Sequence, residues 1–488
     1  MTGTSPDRGP VLVVDVGTSG VRGAVVRPDA TVTAVHHQPV LPDSPAPGLV
    51  EFDPAVLARA ALTVARRALA EGGPVAAVGL TNQRASTVAW DPATGEPVGP
   101  GLGWQDLRTV GECLALQGEG LHLAPNESAT KAAHLLDAAD PDRHRALCVG
   151  TVDAWVAWHL TDGQAFVTDA SNAGVTGLVL PDGSDWDDEV LATLRIPRSA
   201  LPRIVDSSGP VGPARALDGS PPVTGIAGDQ QASLVGQGCV RPGLAKVTFG
   251  TGGMLDVCVG ADRPVPARQG RAGTFPIVAW RRGGSTVWGV EAVMLAAGAN
   301  VEWLRDDLGV IDTADQSHDV ASRCTTTEGV VYVPALLGLG TPWWDYGARG
   351  ALLGITRGTT RAHVVRAVLE GVAQRGADLV EAAEADTGLT LDRLRVDGGM
   401  SANPTFVQAV ADATGRPVEV SPEREATTLG AGFLAGLAIG TWDGWDAVAA
   451  SWRPATVVEP GGRLDRERWR QAVDRAAGWE PELSAIRF

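Results

Sequence analysis

Asp15 stands inside the apolar run VLVVDV, where a carboxylate is costly to bury unless it is paired or serves a cation. Directly after it, Gly17, Thr18, Ser19 and Gly20 make a tight polar turn whose backbone N–H groups and hydroxyls can cradle an anion. A carboxylate beside a phosphate cradle suits a hydrated magnesium ion, so Asp15 is a candidate metal residue. The same design recurs later, where LAKVTF leads into Gly250, Thr251, Gly252 and Gly253 and then a second apolar run. Each turn taken alone reads better as an ordinary hairpin turn, and it is Asp15 that shifts the balance. Two of them facing one another across a cleft could hold one polyphosphate from both sides. Asp229 stands where an apolar strand gives way to a helix, the place of an N-cap. A carboxylate there can also take the proton from a hydroxyl as it attacks phosphorus, with Gln230 orienting that hydroxyl. Gly398 and Gly399 permit close backbone approach to a flat or charged ligand. The chemistry these types and spacings point to is phosphoryl transfer.

The elements that must position these residues follow from local pattern. Residues 11–26 read as strand, glycine-containing turn and strand. Asp53 and Pro54 then open a helix that Gly72 can end. VAAVGLTNQR and RALCVGTVDAWVAWHLTDG continue an alternation of buried strands and helices, which gives α/β layers. PVTGIAGDQQASLVGQG predicts a strand, a turn carrying Asp229 and a helix from about residue 232. The domain boundary falls in residues 236–243, dividing the chain into 1–240 and 241–488, and its glycines are expected to let the halves close on one another. Each half opens with one strand–turn–strand unit; duplication and two unrelated turns fit this equally. LRVDGGMSANPTFVQAVADATG predicts a strand, a loop, and a helix from Asn403-Pro404 that ends before Gly415. LGAGFLAGLAIG predicts a small-residue helix packed tightly on a sheet.

A chain of 488 residues, 44% hydrophobic and 20% charged, is long enough for two cores. A net charge of -17 with no basic run argues against nucleic acid or an anionic membrane as partner. Positive charge for a nucleotide must then come locally, from a metal, an arginine or backbone N–H groups. Cys113, Cys148, Cys239, Cys258 and Cys324 are odd in number and lack CxxC spacing, which points to neither a disulfide framework nor a zinc site. The polar start MTGTSPDRGP and the short first apolar run predict no signal peptide, no membrane span and a cytoplasmic location.

Together, DVGTSGVR, GLTNQRASTVAWDPATGEPV, WQDLRT, SATK, GTVDAWVAWHLT, VTDASNA, GDQQASLVGQG, FGTGGML, the stretch VYVPALLGLGTPWWDYGARGALLGITRGTTRAHVVRAVLEGVA and VDGGMSANPTFVQAVAD resemble the FGGY carbohydrate kinase family over almost the full length. The motifs are closest to those of its glycerol kinases. The resemblance implies an α/β fold of two actin-like (ribonuclease H-like) domains with a cleft between them. It further implies ATP and Mg2+ as cofactors, with ATP mainly on the C-terminal half and a polyol or sugar mainly on the N-terminal half; a homodimer is left open. Carried over by residue, Asp229 becomes the general base, and Asp15 with Asp229 the acidic face around magnesium. Gly17, Thr18, Ser19 and Arg22 match the first phosphate motif, and Gly250 and Thr251 the second. Gly298, Gly399 and Asn403 match positions around the nucleotide. Arg84, Trp104, Asp229 and Gln230 match the acceptor site.

The departures gather in the acceptor pocket. Ala85 replaces a glutamate that binds two hydroxyls of glycerol in glycerol kinases, Asn126 replaces a tyrosine, and Met254 an aromatic wall. Loss of such a carboxylate should cost glycerol roughly 1–3 kcal/mol, and lost bulk widens the site. A larger polyol or a ketose is favoured, with glycerol as the alternative. An actin-like sensor or chaperone without transferase activity is the other class. It would have no use for Asp229, Arg84 and Trp104 together.

Overall fold

The computed structural model describes residues 8–265, 269–422 and 425–486. In the first strand, Val11–Val16, every residue is buried, as a strand covered on both faces requires. Side-chain alternation divides it. Leu12, Val14 and Val16 join a core with Leu57, Ala61 and Val64 of the helix Pro54–Gly72. Val11 and Val13 join another with Ala431, Phe433 and Ala435 of the helix Ala426–Ile439. Asp15 shares the parity of Val11 and Val13 and so points toward the second helix. The first helix starts as its sequence predicts: the Asp53 carboxylate accepts the N–H groups of Ala55 and Val56 at 2.8 and 3.0 Å, and Pro54 follows it.

The main sheet has 13 strands, and its order answers the question of duplication. In the N-terminal half the order is Val32–Pro39, Gly20–Val26, Val11–Val16, Ala77–Asn82, Pro222–Gly228. The first three pair antiparallel and the last two join in parallel. In the C-terminal half Ser285–Met294, Gly253–Gly260, Ala245–Phe249, Leu394–Asp397 and Val418–Val420 repeat that order and those directions. Each half therefore places its glycine turn at the same corner, between its first and second strands. The half-sheets meet at one register pair, Ser208 with Arg282.

Two helices cross between the halves with their backbones in contact. A Cβ on Gly236 would lie 1.9 Å from the Ala426 carbonyl oxygen, and one on Gly430 only 1.7 Å from that of Ala232. The small-residue helix expected from LGAGFLAGLAIG is Ala426–Ile439, and close approach is what its glycines provide. Gly236, placed by sequence in the interdomain joint, is thus a packing residue, whereas Gly238 and Gly243 carry left-handed turns at φ +64° and +82°. One expectation needs correction. No turn separates strand from helix at Asp229: the helix Asp229–Gly236 begins at that residue, not near 232, and the N-cap is Gly228. The strand runs straight into the helix through Gly228, which is still extended at φ -61° and ψ 151° and whose N–H donates to Ser171 Oγ at 3.0 Å. The C-terminal loop and helix match expectation, with Asn403 capping Pro404–Thr414 and Gly415 ending it. The five cysteines are free, and among the described residues no helix is long and apolar enough to cross a membrane.

The crossing predicts a stability effect. Gly430→Ala should lower unfolding free energy by about 2 kcal/mol, the range of core overpacking, because backbone must move to admit the methyl group. Gly111→Ala, where an added Cβ meets nothing within 4 Å, should be neutral or slightly stabilising. Urea unfolding of both variants checks the contrast, and equal midpoints would show that the helices separate freely.

Candidate active site

The parity of the first strand brings Asp15 to the start of the helix Ala426–Ile439, where Thr428 Oγ1 donates to Asp15 Oδ2 at 3.3 Å. Arg22 sits opposite Asp15 in the hairpin register, with its Nη1 3.5 Å from the same oxygen. That guanidinium also pairs with Glu425. Burial pushes the Asp15 carboxyl up to about 7; Arg22 opposes this, and the charges of Asp229 and Glu425 reinforce it. Asp15 is thus a desolvated carboxylate with too little positive charge around it, and Asp229 belongs to the same field.

Asp229, at the first turn of its helix, keeps its side chain 29% exposed. The Gln230 N–H donates to its Oδ1 at 2.8 Å, and Arg84 Nε lies 3.6 Å from that atom. Burial raises the pKa of this carboxyl against the pull of Arg84, of the Gln230 N–H and of Lys246, so it holds a proton more readily than an exposed aspartate does. Arg84 reaches across to the other half: its Nη2 lies 2.7 Å from Glu291 Oε2 and 4.0 Å from Met254 Sδ. Gln230 is held as well, its Oε1 accepting from Lys246 Nζ at 2.5 Å.

Around these, Trp104 Nε1 donates to Thr18 Oγ1 at 3.2 Å and so ties that indole to the turn at residues 17–20. The Lys131 ammonium, lowered to about 8 by burial, donates to the carbonyls of Trp104 and Glu127. Ala85 is buried in a left-handed conformation at φ +59°, and Ser128 Oγ donates to its carbonyl at 3.0 Å. Asn126 lies exposed on the same loop as Ser128. Gly17 closes the first turn on Gly20 at 2.9 Å, with Thr18 half-buried and Ser19 exposed.

The second turn is fixed to Gly298. The N–H of Gly298 donates to the Gly250 carbonyl at 2.8 Å, that of Ala297 to Thr251 at 2.7 Å, and a Cβ on Gly298 would come within 2.7 Å of the Gly250 oxygen. Gly398, at φ +86°, approaches Phe249 just before this turn, which brings Gly399 alongside it. Asn403 shapes the loop, since its amide caps the helix through the Phe406 N–H and donates to Ser317 Oγ at 2.9 Å. The sequence reading missed Glu291, Asp256, Lys246, Glu425 and Thr428. Lys131 and Lys246 did carry a signal: they are the only lysines among 40 basic residues, and both side chains are fully buried. A cavity of about 610 Å³ lined by Gly329, Gly354, Asp465, Arg468 and Gln471 shares no residue with this site.

The FGGY family of carbohydrate kinases matches the chain twice, its N-terminal domain over residues 10–236 and its C-terminal domain over 245–439. A glycerol kinase of Aromatoleum aromaticum is 42% identical over 494 residues, covering 96% of this chain and 99% of its own. One of Trichlorobacter lovleyi is 43% identical over 496 residues, with 96% and 99% covered. Among solved structures, Plasmodium falciparum glycerol kinase with ADP superposes with a TM-score of 0.89 at 26% identity, covering 98% and 99%. A xylulose kinase of Rhodospirillum rubrum shares the fold with a TM-score of 0.84 at 24% identity, covering 97% and 99%. With both domains matched in order along one two-domain actin-like fold, the chain belongs to the FGGY family of carbohydrate kinases and is a phosphotransferase with an alcohol group as acceptor.

Proposed function

We propose that this enzyme transfers the terminal phosphoryl group of ATP to a hydroxyl of a polyol or ketose larger than glycerol, in the cytoplasm. The observation that carries the reading is the part-exposed Asp229 carboxylate, set beside Arg84 on one side and within the field of Asp15 on the other. Residues 1–240 supply the acceptor wall, the first phosphate turn and the base, and residues 241–488 the second turn and the nucleotide loops. Asp229 takes the proton of the attacking hydroxyl, while Arg84 and Gln230 orient the acceptor. Backbone N–H groups at residues 17–20 and 250–253, with the Thr18 and Thr251 hydroxyls, hold the phosphates from opposite sides.

Asp15 and Asp229 suit magnesium, because Asp15 lacks enough counter-charge and the ion is usually held by one or two carboxylates plus phosphates. Among the described residues no group of three or more His, Cys, Asp or Glu forms a cage, so the phosphates would complete the shell. Bound there, the ion would neutralise charge on the transferred group. On the acceptor side, Ala85 and the unbranched Met254 leave room where glycerol kinases carry a carboxylate and an aromatic ring. Glycerol is the second reading, favoured by full-length relatives at 42–43% identity that bear the name glycerol kinase.

Asp229→Asn should lower kcat by about a thousandfold, within the range for a lost general base, with ATP affinity unchanged. Turnover near that of the parent would remove Asp229 from the chemistry. In ADP-release assays, five-carbon polyols and ketoses should exceed glycerol in kcat/KM, and Ala85→Glu should raise the value for glycerol about tenfold. A parent that prefers glycerol decides for the second reading.

Asp15 also sets a stability profile. The folded chain holds its proton to about pH 7, whereas the ordinary value is 3.8, so stability falls as pH rises from about 4 to about 7. Asp15→Asn escapes that loss. At pH 8 it should be more stable than the parent by about 2 kcal/mol, with the gain vanishing below pH 4 and turnover strongly reduced. Parallel stability curves from pH 3 to pH 8 would show that Asp15 is adequately neutralised.

A further inference from the structure

Asp256 is the centre of a buried row that crosses three strands. In register it faces Lys246 of Ala245–Phe249 on one side and Glu291 of Ser285–Met294 on the other. Lys246 and Asp256 are both inaccessible to solvent, with Nζ 2.8 Å from Oδ2. Neither Asp256 oxygen has a well-aligned hydrogen-bond donor, so its tie to Lys246 is one of charge. The row has two outputs. Lys246 Nζ donates to Gln230 Oε1 at 2.5 Å and Thr248 Oγ1 at 2.9 Å, and Glu291 holds Arg84 at 2.7 Å.

We propose that Asp256 is a positioning residue for the acceptor pocket, fixing Gln230 through Lys246 and Arg84 through Glu291. The inference rests on the reading that Arg84 and Gln230 bind the acceptor. Asp256 is the carboxylate within salt-bridge distance of Lys246, and the ammonium so held points at the Gln230 amide. Its second effect is on Glu291. Two carboxyl groups side by side in a dry site cannot both ionise freely, and Asp256 pushes the Glu291 carboxyl toward its neutral form, in addition to what burial does, against the pull of Arg84. A weakened Glu291 leaves Arg84 charge available to Asp229 and to the acceptor. Without Asp256, Gln230 loses its anchored donor and Arg84 is drawn onto a fully charged Glu291. Both changes spoil acceptor orientation and leave the phosphate turns untouched.

Asp256→Asn tests this against a merely structural role. With glycerol and a five-carbon ketose as probes at saturating ATP, the acceptor KM should rise about tenfold, with kcat within about threefold and the ATP KM within about twofold. Asp378→Asn serves as control, since it breaks another buried pair, Arg375 Nη1 to Asp378 Oδ2 at 2.8 Å. That variant should lose stability and keep its acceptor KM. Arg84→Ala and Gln230→Ala separate the two levels: if neither moves the acceptor KM, the reading of the pocket fails. If they do and Asp256→Asn does not, the inference about Asp256 fails alone. Should Asp256→Asn not fold, Lys246→Met combined with Asp256→Leu removes both buried charges, a change that cores tolerate. A raised acceptor KM in that double variant sustains the proposal, and an unchanged one overturns it.

Discussion

The backbone contact between the helices Asp229–Gly236 and Ala426–Ile439 is the constraint on which the rest of the site depends. Helices with ordinary side chains at the crossing stand about 8–10 Å apart. Gly236 and Gly430 let the chains touch, so that the helix from the C-terminal half lies over the N-terminal sheet. Gly79 and Gly225 extend the same fit into the strands beneath, each with an added Cβ only 2.5 Å from backbone of that helix. The consequence is chemical. The first turn of the helix delivers Thr428 to Asp15, and Glu425 just before it to Arg22, while the facing helix starts at Asp229. Small residues remote from any ligand thus decide how near the two carboxylates stand.

That closeness makes the site dry and its charges expensive. Asp15, Asp229, Glu291 and Asp256 are four carboxylates on neighbouring elements, faced by Arg22, Arg84 and Lys246. The deficit of positive charge shows in the raised pKa values of Asp15, Asp229 and Glu291, each driven first by burial. A fold selected only for stability would replace such groups with apolar residues. Phosphoryl transfer gives such groups a use, since charged and polar groups fixed in place before the ligands arrive cost no reorganisation during the reaction.

How much of this was legible in the sequence depended on whether the signal was local. The glycine turns, the Asp53 cap, the Asn403 cap and the apolar strands are local, and each lies where its residues predict. Asp15 was visible because a charge inside an apolar strand is a contradiction that needs a partner. Asp229 was found, but its helix was started late, since Gly228 gave no side chain to mark a cap. Lys246, Asp256 and Glu291 could not be joined by inspection: register alone sets them side by side, and Glu291 is 45 positions from Lys246 in a chain that must first pair its strands. Glu425 and Thr428 were hidden for another reason. Their segment was read for its small residues, and packing and chemistry occupy different turns of the same helix.

The two lysines show why composition can carry more than it seems to. The other 38 of the 40 basic residues in this chain are arginines. The two lysines are also the two that are wholly buried, where the shape of the cation matters as much as its charge. At 246 the cation lies on a strand between Asp256, Gln230 and Thr248, in a space that excludes solvent entirely. An ammonium is a compact charge that can donate to Gln230 and Thr248 while lying 2.8 Å from the Asp256 carboxylate, whereas a guanidinium is a wide planar fork. At 131 the ammonium bonds two backbone carbonyls, those of Trp104 and Glu127, which lie on two separate loops. In both places the lysine braces its neighbours from inside, Lys131 the backbone of Trp104 and Glu127 and Lys246 the side chains of Gln230 and Thr248. Such buried bracing matters because a binding wall held rigid loses less affinity to ordering than one that must be fixed when the ligand arrives.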